Sequence, residues 1–397
     1  MAATDPISNA LFEWWGGVES TFGAGGAASP AADDAFVHES ADVGPVSAAR
    51  IIEVMDKTGE RTYRYPVQGA YEPVPFTFKT PLRPAFATQT EPDEGFFYKA
   101  AGFTVALGVY SRTRVPAVSG WAWGVSHDGK CGRSFAGMAV EKITINAGDG
   151  IASVDFAGQA AAKSEVYEAT LEVAATSGQT QLTLVAGSGW VVPTGGAPCY
   201  VTCDAGVTVH KVTAFDQATS IATITPAVPV AGYADVSTVA LHRSATRTYA
   251  AQAEPMAPVA EQTHSFDLNN GSEEIYVVDF SLEIDTGVKL RRKEAHSSFV
   301  RGLHGNRAAP AQVKANLVFL LGNAKLSGYL EALATKDLRI QIGPTSGRYI
   351  RIDANTIKLK KADVPEGGAD GAAEGTIEAS IYALNAAAGS DLTISYL

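Results

Sequence analysis

Ser126, His127 and Asp128 stand in consecutive positions and carry the side-chain types of a hydrolytic triad. Such a triad needs the imidazole between hydroxyl and carboxylate in space. Neighbours on an extended chain point to opposite faces, so three adjacent residues cannot assemble one. The segment His127 to Lys130 reads instead as a turn between two strands. Gly23, Gly25 and Gly26 lack the preceding strand and following helix of a dinucleotide loop, and the chain has no P-loop signature and no His-Glu-x-x-His zinc motif. Cys199 and Cys203 lie on one predicted strand, about 13 Å apart at ~3.3 Å per residue, too far to bond directly. No spaced set of further ligands stands near them, so no metal centre is expected. Asp267, Asn269 and Asn270 have calcium-loop residue types, but Gly271 comes one place early and the closing glutamate is out of register. His296 and His304 share a loop with Arg292, Arg301 and Arg307, which suits either an anion or an acidic loop on a neighbouring subunit. The chain therefore predicts no cofactor and no catalytic activity.

The sharpest electrostatic feature is a strand instead of a site. In Ile275–Asp285, Val278, Phe280, Leu282 and Ile284 alternate with Asp279, Ser281, Glu283 and Asp285, so one face is apolar and the other acidic. A solvated sheet face explains a single such strand. Asp155 adds a fourth carboxylate from the strand Ile151–Phe156, where Ala152, Val154 and Phe156 face the opposite way.

Composition sets the limits around these features. A chain of 397 residues with 46% hydrophobic content supports two domains, or one domain carrying an insert. Charged residues make up only 18%, which suits a protein that buries much of its surface against neighbours. A net charge of −11 disfavours binding nucleic acid through its backbone, because phosphates need Lys or Arg to displace counterions. Three cysteines give no disulfide framework and predict folding in a reducing cytoplasm. Met1–Leu11 lacks the basic start of a secretory signal, and no apolar run of about eighteen residues appears, so no membrane anchor is expected.

The elements that would position these residues are mostly strands. Residues 1–45 are rich in Gly, Ala and Pro and predict a flexible or docking N-terminal arm, with Trp14 and Trp15 as candidate contacts to another subunit. Ala48–Met55 has helical spacing, and Phe96–Leu107 reads as helix passing into strand. Val140–Ile145 and Ile151–Phe156 flank the turn-forming stretch Asn146–Gly150 and predict a hairpin. Residues 164–246 are nearly free of charge and dense in Thr, Val and Ala, with short strands at Gln181–Val185, Cys199–Cys203, Val207–Thr213 and Ile221–Thr225. They predict a small all-β domain inserted between two parts of a parent domain, 46–163 and 247–397. Beyond Asp285 come the basic segment Lys289 to Lys293, a strand at Lys314–Leu321, a helix at Leu326–Ala334, and strands at Leu338–Ile342, Tyr349–Ile352, Thr356–Leu359, Thr376–Leu384 and Asp391–Tyr396. Arg291, Arg292 and Lys293 are further candidates for contact between subunits. The fold class expected is mainly antiparallel β with one or two short helices and an inserted small β domain.

The order of these segments resembles the bacteriophage major tail tube proteins. The likeness is carried by Gly95–Gly102, by the strand–turn–strand of Gly132–Asn146 and Ile151–Gly158, by Val278–Asp285, by the strand and helix of Leu317–Ala334, and by Glu378–Leu384 ahead of a last strand. It covers roughly residues 65–163 and 247–397, while 164–246 departs from the family pattern.

The resemblance implies two packed antiparallel sheets, and six copies joined edge to edge into rings that stack as a hollow tube. Implied partners are further copies of the chain and other tail proteins such as the tape measure, terminator and baseplate, with DNA passing through unbound. The expected location is the tail of the virion, after synthesis in the host cytoplasm. Repetition around a ring would turn Asp279, Glu283, Asp285 and Asp155 into an acidic lining that repels phosphate. Another tail or baseplate ring component, or a tail protein binding host glycan through Trp190, Tyr200 and Tyr233 of the insert, is the alternative.

Overall fold

Between Cys131 and Ala147 the sequence offers Phe135, Met138, Val140, Ile143 and Ile145 with no proline, and it forms one strand of 17 residues. Residues so rich in branched and aromatic side chains fit a pleated surface that is buried. The computed structural model describes residues 12–26, 29–31, 34–43, 49–54, 65–83, 91–112, 118–147, 151–204, 207–244, 265–268, 273–275, 277–291, 302–305, 311–318, 335–343, 349–363, 374–381 and 392–397.

In chain order the first elements are β1 (Phe12–Val18), β2 (Ala35–Phe36), β3 (Ser40–Val43), β4 (Ala49–Val54), β5 (Tyr65–Tyr71), β6 (Val74–Pro81), α1 (Gly95–Ala100), β7 (Phe103–Ala106), β8 (Val109–Arg112), β9 (Gly120–Ser126), β10 (Cys131–Ala147) and β11 (Ser153–Tyr167). Next come β12 (Ala169–Thr170), β13 (Gln181–Thr183), β14 (Cys199–Thr202), β15 (Val209–Asp216), β16 (Ile221–Thr225) and β17 (Thr238–Leu241). The last are β18 (Ser265–Leu268), β19 (Glu273–Ile275), β20 (Val277–Asp285), β21 (Val288–Leu290), β22 (Leu303–Gly305), β23 (Ala311–Val318), β24 (Thr335–Ile342), β25 (Ile350–Asp363), β26 (Glu374–Ile381) and β27 (Leu392–Tyr396). The protein is mainly β, with antiparallel pairing throughout and one short helix among the described residues.

Strand β10 serves two sheet regions at once. Along one edge it pairs with β11 from Cys131 to Asn146. Along the other it pairs first with β9, from Gly132 to Met138, and then with β20, from Lys142 to Ala147. Two irregularities make the handover. Near Gly137, at φ +63°, the ladder to β9 shifts, and between Val140 and Lys142 the ladder to β11 shifts by one residue. Bulges of this kind bend a strand and increase its twist. The first region runs β2–β1–β9–β10–β11, and the second runs β3–β6–β11–β10–β20–β23–β26–β25. From β25 the ladder continues to β24 and β18 on one side and to β27, β8 and β7 on the other.

The main core fills the space between these layers. Phe76, Phe78, Phe97, Phe135, Phe156, Ile143, Leu282, Ile284, Ile340, Ile352 and Ile394 are all buried in it. A second core lies on the opposite face of the β1–β9–β10 region, where Trp15, Trp121, Trp123 and Val125 pack against Trp190, Cys199, Tyr200, Val212, Ile224 and Val239. The sheet of β1 and β9 is therefore apolar on both faces.

Strands β12 to β17 form their own sheet in the order β12-β17-β14-β15-β16-β13. Its outer strands are joined, since Val185 N donates to Thr170 O and Glu172 N to Thr183 O, both at 2.9 Å. This inserted unit is bound to the parent rather than hung from it. Glu165 and Val191 exchange backbone hydrogen bonds at 2.8 and 3.0 Å, and Trp123 Nε1 donates to His242 O at 3.0 Å. Lys211 Nζ donates to the carbonyls of Ala24 and Gly26, and Tyr200 OH also donates to Gly26.

Several expectations are corrected. Phe12–Val18 is not a loose arm: β1 pairs with β9 over its whole length, and Trp14 and Trp15, 2% and 0% exposed, are packed inside their own chain. Trp14 lies flat on Gly124, where an added Cβ would sit 2.6 Å from the indole. Ala49–Val54 is a strand paired with β5, not a helix. The strands expected at Tyr349–Ile352 and Thr356–Leu359 are one strand, β25. Phe96–Leu107 does pass from helix into strand. The helix expected at Leu326–Ala334 lies outside the described residues.

Glu19 fastens the end of β1. Its buried carboxylate accepts hydrogen bonds from Gly23 N and Gly25 N at 2.9 Å, from Gly137 N at 3.1 Å, and from the Ser119 hydroxyl. Burial pushes this carboxyl above its ordinary range, and the Ser119 and glycine donors pull it back. Glu19→Ala leaves those donors without their acceptor and is expected to cost about 2–4 kcal/mol in urea unfolding. A second expectation concerns the insert. Each indole it covers buries on the order of 200 Å², worth about 5 kcal/mol at ~25 cal/mol/Å². Uncovering Trp15, Trp121 and Trp123 would cost as much as the ~5–15 kcal/mol net stability of a typical domain. A chain lacking residues 169–241 is thus expected to be insoluble or unfolded, checked by expression and circular dichroism.

Candidate functional site

The four carboxylates singled out from sequence stand on one face of the second sheet region. The apolar row Ala41–Phe78–Phe156–Ile143–Ile284 crosses five strands and points into the core. One residue along each strand, the row Lys79–Asp155–Thr144–Glu283 points the other way, since successive side chains alternate. The next polar row is Thr77–Ala157–Lys142–Asp285. Thr144 is the register partner of both Asp155 and Glu283, which places those carboxylates two strands apart, about 10 Å. Asp279, Ser281, Glu283 and Asp285 are all half-buried, while Phe280, Leu282 and Ile284 are buried. Asp42, opposite Thr77, adds an exposed carboxylate.

The face is not purely acidic, which revises the expected lining. Lys142 Nζ lies 3.1 Å from Glu283 Oε2, with the two side chains 48% and 43% exposed. Lys79 Nζ lies 2.7 Å from Glu39 Oε2 and stands opposite Asp155. Among the described side chains that β3, β6, β10, β11 and β20 place on this face, carboxylates still outnumber ammonium groups: Asp42, Asp155, Asp279, Glu283 and Asp285 against Lys79 and Lys142. Asp155 is held above the usual carboxylate range chiefly by burial, which Lys79 opposes and Glu39 reinforces. Its Oδ1 is buried with no hydrogen bond among the described residues, while Asn146 Nδ2 donates to Oδ2 at 3.5 Å. Asp285 Oδ1 accepts from Gly287 N at 3.0 Å, and Arg112 donates to the Asp285 carbonyl at 3.3 Å. The Arg112 guanidinium is lowered by burial and raised again by Asp285.

The other candidates resolve as structure. Ser126 to Lys130 is a turn, in which Gly129 N donates to Ser126 O at 2.8 Å and the Ser126 hydroxyl donates to Asp128. The His127 side chain is 80% exposed, with Nδ1 3.5 Å from Glu13 Oε1. All three cysteines are thiols, and burial pushes Cys131 and Cys203 up to about 12. Among the described residues no group of three or more potential ligands gathers to hold a metal. Trp190, Tyr200 and Tyr233 are 0%, 0% and 7% exposed, so the insert does not present them as a platform for stacking sugars. Arg291 is exposed and its backbone N–H donates to Gly302 O at 2.8 Å; Arg292 and Lys293 lie outside the described residues, as do His296, Arg301 and Arg307.

Sequence reasoning missed Glu19 and Glu94, which bond to residues a hundred or more positions away, Ser119 and Gly137 for Glu19 and Tyr396 for Glu94. A comparison with models of known protein families finds no match, and a search of curated proteins finds no relative.

An exposed ion pair gains little over its solvated parts. Glu283→Gln is therefore expected to change stability by less than about 1 kcal/mol, read as the urea midpoint. A larger loss would show that Glu283 holds the sheet together and is not a surface group.

Proposed function

We propose that this chain is a structural subunit of a bacteriophage tail tube, without catalytic activity, that assembles into hexameric rings stacked as a conduit for DNA. The observation that carries the reading is a continuous antiparallel sheet whose one face fills the core while the other is left half-exposed, polar and rich in carboxylates. In a closed ring that face would form the wall of the channel, and its excess negative charge would keep phosphate from adhering. Copies would meet at sheet edges. Among the described residues β3, β7 and β19 each pair on one side only, and an exposed edge is a template for another strand.

The insert covers the face of the β1–β9 region opposite the main core, the side of the β10–β11 ladder that also carries the polar row. Its role is to seal the indoles Trp15, Trp121 and Trp123 from water as well as to present a surface. Further partners would be the tape measure, terminator and baseplate proteins, and the location would be the virion tail.

Concentrated pure protein should form uniform hollow rods or rings in negative-stain images, with a matching rise in size by light scattering. A monomer that stays dispersed at all concentrations and salt conditions would overturn the reading.

A further inference from the structure

The hairpin of β7 and β8 carries a strained residue that its own chain does not account for. Ala106 pairs with Val109, so Leu107 and Gly108 form the turn, and both have positive φ, +51° and +75°. That is a type I′ turn. Its first position favours Asn, Asp or Gly, because a larger side chain crowds the backbone at positive φ. Leu107 stands there 86% exposed, so an apolar side chain meets water at a strained position. Strain of this kind persists where it serves a contact. The tip is also held in place: Tyr396 N donates to Gly108 O at 3.0 Å, and the following residue, Leu397, is 38% exposed.

Strand β7 pairs with β8 alone among the described residues, and Thr104 and Ala106 are exposed along it. From Gly102 to Ser111 the chain carries no charge. The other one-sided edges named above are acidic. Glu39, Ser40 and Asp42 are exposed along β3, and β19 begins with Glu273 and Glu274. Joining β3 to β19 would set carboxylate against carboxylate, which destabilises a ladder. A head-to-tail contact between identical copies joins unlike surfaces, so β7 is one side of it. Its length fits β3, since each has 4 residues. The alternation fits as well: Phe103 and Ala41 are buried in the main core, while Thr104, Ala106, Ser40 and Asp42 are exposed.

We propose that β7 of one copy pairs antiparallel with β3 of the next, Thr104 opposite Asp42 and Val105 opposite Ala41, with Leu107 packed on the neighbour. The proposal rests on the ring reading and names the edges that close the ring. This register keeps apolar side chains on the core side and sets Asp42 against a neutral threonine. Leu107 falls just past the last pair, beside the stretch Val37 to Glu39 that leads into β3. There it leaves water, and the contact explains why leucine occupies that turn.

Leu107→Asn supplies the side chain this turn prefers and removes the apolar contact. It should raise the urea midpoint of the unassembled chain, yet raise the concentration needed for assembly about tenfold, as loss of a partly buried leucine implies. Assembly at the wild-type concentration would take Leu107 out of the contact and overturn the proposal. The edges are read by assembling Thr104→Cys protein with Asp42→Cys protein and adding a short bis-maleimide, with wild type as the control for native thiols. Covalent dimers of the two variants are expected. If Thr104→Cys protein links to Glu274→Cys protein instead, or to neither, in tubes that form normally, the edge assignment fails and the conduit reading stands. Wild-type protein that forms no rings under any condition sinks both. If a cysteine variant does not assemble, the Leu107→Asn comparison decides alone.

Discussion

One strand has to satisfy neighbours on both edges and apolar layers on both faces, and the rest of the molecule follows from how β10 does so. Its long ladder with β11 is the common wall of two sheet regions. The opposite edge is shared between β9 and β20, which cannot both continue along it. The irregularities near Gly137 and Glu141 resolve the conflict by bending the strand between its two partners. The backbone N–H of Gly137, turned out of the ladder, would be an orphan donor in the interior. Glu19 accepts it, and so ties the end of β1 to the bend.

That arrangement explains why the polar face and the insert belong to different halves of the same ladder. Toward its C-terminal end β10 carries Lys142, Thr144 and Asn146 on one side and Ile143 and Ile145 on the other, so the sheet there has a core face and an open face. Toward its N-terminal end both sides are buried, by the main core and by the tryptophan-lined core of the insert. The insert is thus a second cover for a sheet that would otherwise expose Trp15, Trp121 and Trp123. The charge of the open face is moderated by Lys79 and Lys142, which sit among the carboxylates and not apart from them.

What could be read from sequence follows the same division. β20 was legible because charged and apolar residues alternate strictly where one face meets water. The ends of the β10–β11 hairpin were not, because Ser134–Ala139 and Ala160–Ser164 are buried on both faces and lack period-two contrast. β1 was hidden by Gly16 and Gly17, which suggest a loose arm. In the fold Gly16 leaves room for the Phe96 ring, which lies 2.4 Å from the position of an added Cβ. β4 imitated a helix because Ile51, Ile52 and Met55 would share one helical face. The four carboxylates of the open face were found from pattern alone, but the lysines that offset them belong to other strands, and only register brings them together. Glu19 and Glu94 carry no local signal, since what buries each comes from distant segments.

The account rests on the claim that the face bearing Asp155 and Glu283 is a channel wall. A cryo-EM map of the assembled protein at side-chain resolution tests it most directly. The prediction is that the row Lys79–Asp155–Thr144–Glu283 faces the axis of a closed ring. A map in which that row is covered by a neighbouring copy, or turned to the outside, would contradict it.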